Sequence, residues 1–555
     1  MPSASPTARE LTLVSLAYAA LTFVMALPFS AHPGSQVVAD LPDTHLYIWT
    51  LAWNTHAFLH QPLNIFDANI YYPYANTLAY SENLIGSAFF AAPVIWLTGN
   101  LVLAMNLVAL LTCVLCGVGA YVLGRQLHMS RGAAFICGVV FAFAPPRFFR
   151  LGQLHMTAVQ WIPFSLAYLH AYFGSNRRRD LLLAVAFFSL QALSSGHGTA
   201  YLFVAIILLL AWQFALGAPL ALAQRIRDFG VAGAYLISPA VWIILPYRMA
   251  QAEAGLKREF PADLHPGIES FLASPSRAHQ WLQAAVWGPF AKEPTAFLFP
   301  GILVVILAGI ALATWPTHRR LRDNAVAFYL LIGVLATLMF IEWPVELWRY
   351  VYWLPGFNFI RVPSRFIIMT MLALGVLAGF GVERLAAGLS GRARAVVFVA
   401  IGALLLAEYQ SYPFRGVPYR VDVPAIDRWL DTQPKPFVVA EVPAPSPGDR
   451  GSYIRHQTSA MLHATAHWQK TVHGYSGIQR PLHDQLYIDM TAFPNAPSLS
   501  SLREVGVTHI VVHTEEYGDR WRTIEEQIAR SAALRLEHVE GAGRVYALLA
   551  PSERR

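Results

Sequence analysis

The chain has 555 residues, of which 55% are hydrophobic and only 13% charged, about half the charged fraction of a soluble globular domain. A soluble fold is thereby excluded, and the chain reads as an integral membrane protein. The formal charge of +7 does not point to nucleic acid: residues 412–555 carry 16 Lys+Arg against 16 Asp+Glu, so the whole excess, 24 against 17, lies in the apolar part, where short Arg-rich cytoplasmic loops would put it.

Leu11 to Phe29 is an apolar run of spanning length preceded by Arg9. No convincing small-residue cleavage site follows it, so it is read as a retained span, with a cleaved signal peptide as the alternative. The next stretch, residues 30–83, is polar and aromatic-rich and reads as a long first external loop holding Asp40, Asp43, Asp67 and Glu82. Carboxylates held at a membrane surface are costly, which makes this cluster a functional-site hypothesis against the plainer reading of a solvated loop. Asp67 reads as a turn or cap residue, and Leu84 to Leu97 as a helix at the outer interface.

Further spans are expected at about 100–124, 132–146, 158–173, 181–195, 199–216, 229–247, 297–315, 324–341, 364–387 and 395–411, which gives about eleven transmembrane helices. Every second connection carries arginine: Arg125 and Arg131, Arg177 to Arg179, Arg225 and Arg227, Arg319, Arg320 and Arg322, then Arg392 and Arg394. This alternation predicts a cytoplasmic N-terminus and an extracytoplasmic C-terminal domain. Arg147 and Arg150 in APPRFFRLGQLH, and Arg361 and Arg365 in FIRVPSRF, break the trend by falling at outward span ends beside Pro145, Pro146 and Pro363. Their expected partners are Asp43 or Glu82, lipid headgroups, or the phosphate of a lipid-linked substrate. Residues 248–295 read as a second external loop, and the aromatics of residues 342–363 as an interface belt. Cys113, Cys116 and Cys137 all lie in apolar spans, so no disulfide is expected and the CxxC spacing reads as packing.

After Tyr412 the composition becomes that of a soluble domain, 412–555, beside a transmembrane domain over 1–411. PFVVAEVP and GVTHIVVH read as buried strands, RLEHVEGAGRVYALL as a hairpin, and AIDRWLDTQ and GDRWRTIEEQIARSAA as helices, which predicts a small α/β fold. Between the first two strands, His463 and His467 share a helical face, but no carboxylate or third histidine completes a metal motif there, so no metal is expected. Trp468, His473 and Tyr475 are expected to face the membrane surface or a sugar. The chain has no phosphate-cradling glycine loop and no GxSxG, which removes a nucleotide-driven pump and that class of serine hydrolase. Polar groups gather at the outer face rather than mid-span, against a secondary transporter; His197 in SSGHGTA is placed in a turn near that face.

PDTHLYIWTLAWNTHAF, FDANIYYPYANTLAYSE, APPRFFRLGQLHMTAVQWIP, FIRVPSRF and VHGYSGIQRP, in that order, resemble the GT-C fold of integral membrane glycosyltransferases, in particular its bacterial multispanning, polyprenyl-phosphate-sugar-dependent type. The resemblance implies an inverting transfer of a sugar from a polyprenyl phosphate to a glycan, lipid or protein acceptor at the outer face of a bacterial inner (cytoplasmic) membrane. It casts Asp43 as general base with Asp40 as fallback, although Pro42 stands where that group often has glycine. Arg361 and Arg365, then Arg147 and Arg150, with His155, would hold the departing phosphate. Glu82, Tyr80, His197, Trp468, His473 and Tyr475 would contact acceptor or sugar. Arginine can neutralise a monophosphate unaided, so the scheme demands no metal or other cofactor. A lipid-linked glycan flippase and a noncatalytic assembly factor remain the competing readings.

Overall fold

The computed structural model describes residues 6–216, 222–254, 260, 266–282, 296–314, 324–342, 345–354, 357–478 and 480–550. Arg319, Arg320, Arg322, Trp343 and parts of the 248–295 stretch lie outside them. The chain divides into two compact units, one of residues 1–38, 106–243 and 257–416, the other of residues 39–105, 244–256 and 417–555. Residues 39–105 thus group with the C-terminal part of the chain.

The first unit is helical. Its elements are α1 (Ala8–Met25), most of α4 (Leu101–Gln126), α5 (Arg131–Phe143), α6 (Trp161–Ser175), α7 (Arg178–Ser194), α8 (Gly196–Leu216), the first part of α9 (Leu222–Ala254), α10 (Ile302–Ala313), α11 (Ala325–Leu338), α12 (Ile367–Leu385) and α13 (Gly391–Glu408). A helix therefore stands at each of the eleven expected stretches. By length and composition, four helices among the described residues can cross a membrane: Ala8–Met25, Leu101–Gln126, Gly196–Leu216 and Pro363–Leu385. A fifth is added if Gln224–Leu236 and Pro239–Glu253, bent by 52°, form one span. The shortness of α5 has a plain cause: Ser130 caps it by accepting from the Ala133 amide, and it ends at Ala144, whose ψ of 135° is forced out of the helix by the following Pro145.

Helix α12 packs on α5, α10 and α11. Glycines let it approach closely: a Cβ on Gly375 would lie 2.9 Å from the Cys137 carbonyl oxygen, and one on Gly381 would lie 2.0 Å from that of Leu307. At one end of this unit Glu10 accepts from Arg125 and Arg131, each at 3.1 Å. There too Glu383 binds the Ser130 amide at 3.0 Å and pairs with Arg394. The arginines of the 125–131 and 392–394 connections and the start of α1 thus share one end, as the alternation requires of loops on one side.

The second unit holds a five-stranded sheet in the order β2-β1-β3-β5-β4, from β1 (Val438–Val442), β2 (Lys470–Thr471), β3 (His509–His513), β4 (Leu534–Glu540) and β5 (Gly543–Leu548). β1 is parallel to β2 and β3, β5 is antiparallel to β3, and β4 and β5 form the expected hairpin. Even-numbered residues such as Val438, Ala440, Ile510 and Val512 face the larger core. Odd-numbered Val439, Val511 and Val545 face a smaller one with Ile426 and Leu430 of α14 (Ala425–Asp431). The helices α15 (Arg450–His463), α16 (Pro481–Met490), α17 (Ala496–Glu504) and α18 (Trp521–Arg530) complete the α/β part.

Residues 30–83 are not simply a loop, because α2 runs over Pro42–His60. Leu41 is extended, Pro42 occupies the first turn where its missing amide costs nothing, and Asp43 sits beside the positive helix end. α2 packs on α3 (Ile85–Thr98) and on α15. Beyond α2 the backbone of residues 69–72 runs against the edge strand β2: the Thr471 amide donates to the Asn69 carbonyl at 2.8 Å, Tyr71 to His473 at 2.9 Å and Tyr72 to Thr471 at 3.0 Å.

The Gly381 contact is with main chain and cannot be relieved by a rotamer change. Gly381→Ala is expected to destabilise the helical unit by about 1–3 kcal/mol, seen as a lower thermal midpoint in detergent, whereas Gly309→Ala, with open space around its Cβ, should leave it unchanged.

Candidate functional site

In the second unit the helix start fixes Asp43. Its Oδ1 accepts from the Tyr475 hydroxyl at 3.1 Å, and the carboxylate is half-buried. Asp40 is exposed and held by His45 at 2.8 Å, whose other ring nitrogen lies 3.1 Å from Thr458 Oγ1 on α15. Of the two acids, Asp43 is bound by a hydroxyl and Asp40 by an imidazole. Asp67 pairs with Lys470 at 3.0 Å, an ion pair rather than only a cap.

Tyr80 is buried, and burial raises its hydroxyl to about 12 despite the nearby Arg480 charge. Arg480, also buried, lies 3.9 Å from the Tyr74 ring centre and 5.7 Å from that of Tyr80, and pairs with Glu253 at 3.4 Å. Glu82 is half-buried beside Tyr247, whose hydroxyl donates to the Ser81 carbonyl at 3.0 Å. Arg480 belongs to VHGYSGIQRP but is not among the expected site residues, and no local pattern marks it as a buried cation.

Trp468, His473 and Tyr475 do not act as one presented group. Trp468 stacks on His56 of α2 at 4.4 Å, and Tyr475 reaches Asp43. His473 is fully buried, contrary to the expectation that it faces membrane or sugar. Its Nε2 accepts from the Glu441 amide at 2.6 Å, so its Nδ1 carries the proton toward the Tyr487 hydroxyl at 2.5 Å. Burial holds this imidazole well below its usual range, so it stays neutral. The metal reading also changes. His463 does not pair with His467; it meets Glu441 and His513, a carboxylate and a third histidine supplied by the sheet. Sheet register places them together, and no local spacing could reveal it.

In the first unit the cations meet at the end of α5 and α12 opposite Glu10 and Glu383. Arg365, in the turn Pro363–Phe366 before α12, lies 2.8 Å from His197 Nε2 at the start of α8. The His155 and His197 rings are 5.5 Å apart, and the His155 carbonyl accepts from Ser195 Oγ at 2.7 Å. Burial, then the Arg365 charge, lowers Arg150 to about 10, and burial with Arg365, His197 and Arg150 drives His155 well below its usual range. A half-buried guanidinium whose charged form is disfavoured in this way is suited to receiving an anion. Arg361 is exposed and has no bond to these groups among the described residues. Arg147 is wholly buried and its guanidinium donates to the carbonyls of Ala142 at 2.8 Å and Thr157 at 3.0 Å. It holds the 144–157 turns together, a different use from the expected phosphate contact.

No family profile and no curated protein matches the chain. Among solved structures it is similar to the arabinofuranosyltransferase AftD from Mycobacteria, with a TM-score of 0.60 and 17% identity over 100% of this chain and 42% of that one. It therefore spans less than half the length of AftD. It also aligns with the Archaeoglobus fulgidus oligosaccharyltransferase, with a TM-score of 0.48 and 13% identity over 92% of this chain and 69% of that one. ArnT from Cupriavidus metallidurans gives a TM-score of 0.48 and 12% identity over 97% of each chain. The likeness to AftD runs over the whole of this chain, and on that ground the chain has the GT-C fold.

Proposed function

We propose that this protein is a glycosyltransferase that moves a sugar from a polyprenyl-phosphate carrier to a glycan, lipid or protein hydroxyl at the outer face of the cytoplasmic membrane, inverting the anomeric centre. The observation that carries the reading is the half-buried Asp43 carboxylate at the start of α2, accepting from Tyr475. The likeness to AftD supports the reaction class, and the name of that protein makes a polyprenyl-phosphate pentose the first donor to try.

The acceptor hydroxyl must lose a proton as it attacks, and a carboxylate within hydrogen-bond reach takes it. Tyr475 occupies one carboxylate oxygen and leaves the other for the acceptor. Negative charge on Asp43 also favours an oxocarbenium-like transition state. The phosphate gains charge as the glycosyl bond breaks; Arg365, oriented by His197, and Arg150 are the groups we assign to it. His155, neutral through burial, can donate one hydrogen bond to that phosphate. Tyr80 and Glu82 are assigned to the acceptor, with Arg480 as a positioning residue.

Asp43→Asn should fold normally and lose transfer from a polyprenyl-phosphate pentose or hexose by about 10²–10⁴-fold, measured as polyprenyl phosphate released by protein in liposomes. Full activity in that variant would remove Asp43 as the base. Tyr475→Phe should lower the same rate by about tenfold, the effect of one lost hydrogen bond. Arg365→Ala should lower transfer more than Arg361→Ala does, since Arg361 is exposed and apart from the histidines; equal effects would remove Arg365 from its assigned role.

A further inference from the structure

Glu441 is the only charged residue of β1 and is buried at 3% exposure. In the sheet register it lies opposite Val511 of the parallel β3, so His513, two residues on, projects from the same face. Both sit at the C-terminal ends of adjacent parallel strands, the edge at which open α/β sheets bind ligands. His463, the last residue of α15, comes down on the same corner.

The geometry is a convergence on one atom. His463 Nδ1 lies 2.8 Å from Glu441 Oε2, and His513 Nε2 lies 2.7 Å from that same oxygen. One ligand atom from each residue falls within 4.8 Å of the others. A carboxylate oxygen can only accept, so each imidazole must place a proton in the space between them. A cation of small radius fills the same space with less crowding. Nearby, Asp427 is fully buried with neither carboxylate oxygen bonded to a donor among the described residues. His467 stands no nearer to it than 3.9 Å. A second buried carboxylate without a donor is expensive unless positive charge stands close by.

We propose that Glu441, His463 and His513 form a binding site for one divalent transition-metal ion, zinc by ligand type, at the end of the C-terminal sheet. Two imidazoles and one carboxylate are a recurrent zinc set that leaves a fourth position for water or a further oxygen. The exposed Glu516 follows His513 by three residues. The ion ties the end of α15 to the sheet. α15 in turn packs on α2 and bonds His45 through Thr458, so the site supports the helix that carries Asp43 from behind. The proposal rests on the fold of this unit and not on the transferase reading.

The test uses full-length, tag-free protein in detergent, stripped with EDTA and titrated with Zn2+ alone. The expected result is one retained zinc per chain by metal analysis after gel filtration, with a thermal midpoint raised by a few degrees. Co2+ in its place should give a tetrahedral absorption spectrum. The His463→Ala/His513→Ala double variant should lose the retained ion, the midpoint shift and the cobalt spectrum. Glu441→Gln, which keeps the side-chain size, should lose them too and serves if the double variant does not fold. Zinc retained equally by wild type and Glu441→Gln, or no zinc retained by folded wild type, overturns the proposal. None of these readings requires sugar transfer, so a failed Asp43 assay leaves the result intact.

Discussion

The arrangement of the second unit depends on how its edge strand is covered. β2 is only two residues long, and the side not paired with β1 is taken by the backbone of residues 69–72. An open strand edge is a hazard, and here the chain covers it with its own distant segment. Tyr71 pays a left-handed φ of 58° for this fit, and its ring occupies the space where a Cβ on Gly474 would stand at 2.4 Å. Tyr72 then packs against the larger core. Through these bonds α2 and its carboxylate are placed by a sheet that the chain forms hundreds of residues later.

The helical unit is organised by a different constraint, the cost of charge among apolar helices. At one end Glu10 pairs with Arg125 and Arg131 of a single connection, and Glu383 pairs with Arg394 and binds Ser130. Glu408 caps α10 through its Leu303 amide at 3.1 Å and accepts from His279 at 3.0 Å. At the other end the groups are Arg150, Arg365, His155 and His197; burial and then the Arg365 charge lower Arg150 and His155. Arg147 lies in the same region but has its hydrogen bonds directed at carbonyls, which separates a scaffold cation from those that remain able to meet a ligand.

What the sequence disclosed follows from what is local. Apolar runs located the helices, and the β-branched stretches VVAEV and HIVVH located two central strands, because each element buries its own side chains at its own period. The hairpin of β4 and β5 was legible from its central glycines. α2 was not, since its interior mixes Trp49, Trp53, Asn54 and three histidines and has no clean apolar face; the Pro42-Asp43 start was the available sign. For α15 the spacing of His463 and His467 suggested a helical face, but not its start, where Asp449 caps it by accepting from the Ser452 amide at 3.3 Å. Asp43 could be singled out by position, but Tyr475 as its donor could not. The meeting of Glu441, His463 and His513 is set by strand register and helix length together, and neither is written at any one spacing.

The second unit is assembled from residues 39–105, 244–256 and 417–555, an order that matters while the chain is being made. A ribosome delivers α2 and Tyr71 early, and their partners in the sheet emerge only with the last quarter of the chain. Until then the rings of Trp53 and Tyr71, which later meet Trp468 and His483, lack those neighbours. Nascent chains of this protein therefore carry an uncovered aromatic surface through most of translation. Asp43 acquires its hydroxyl donor only after Tyr475 has been synthesised and folded, so the carboxylate is left unset in every shorter product.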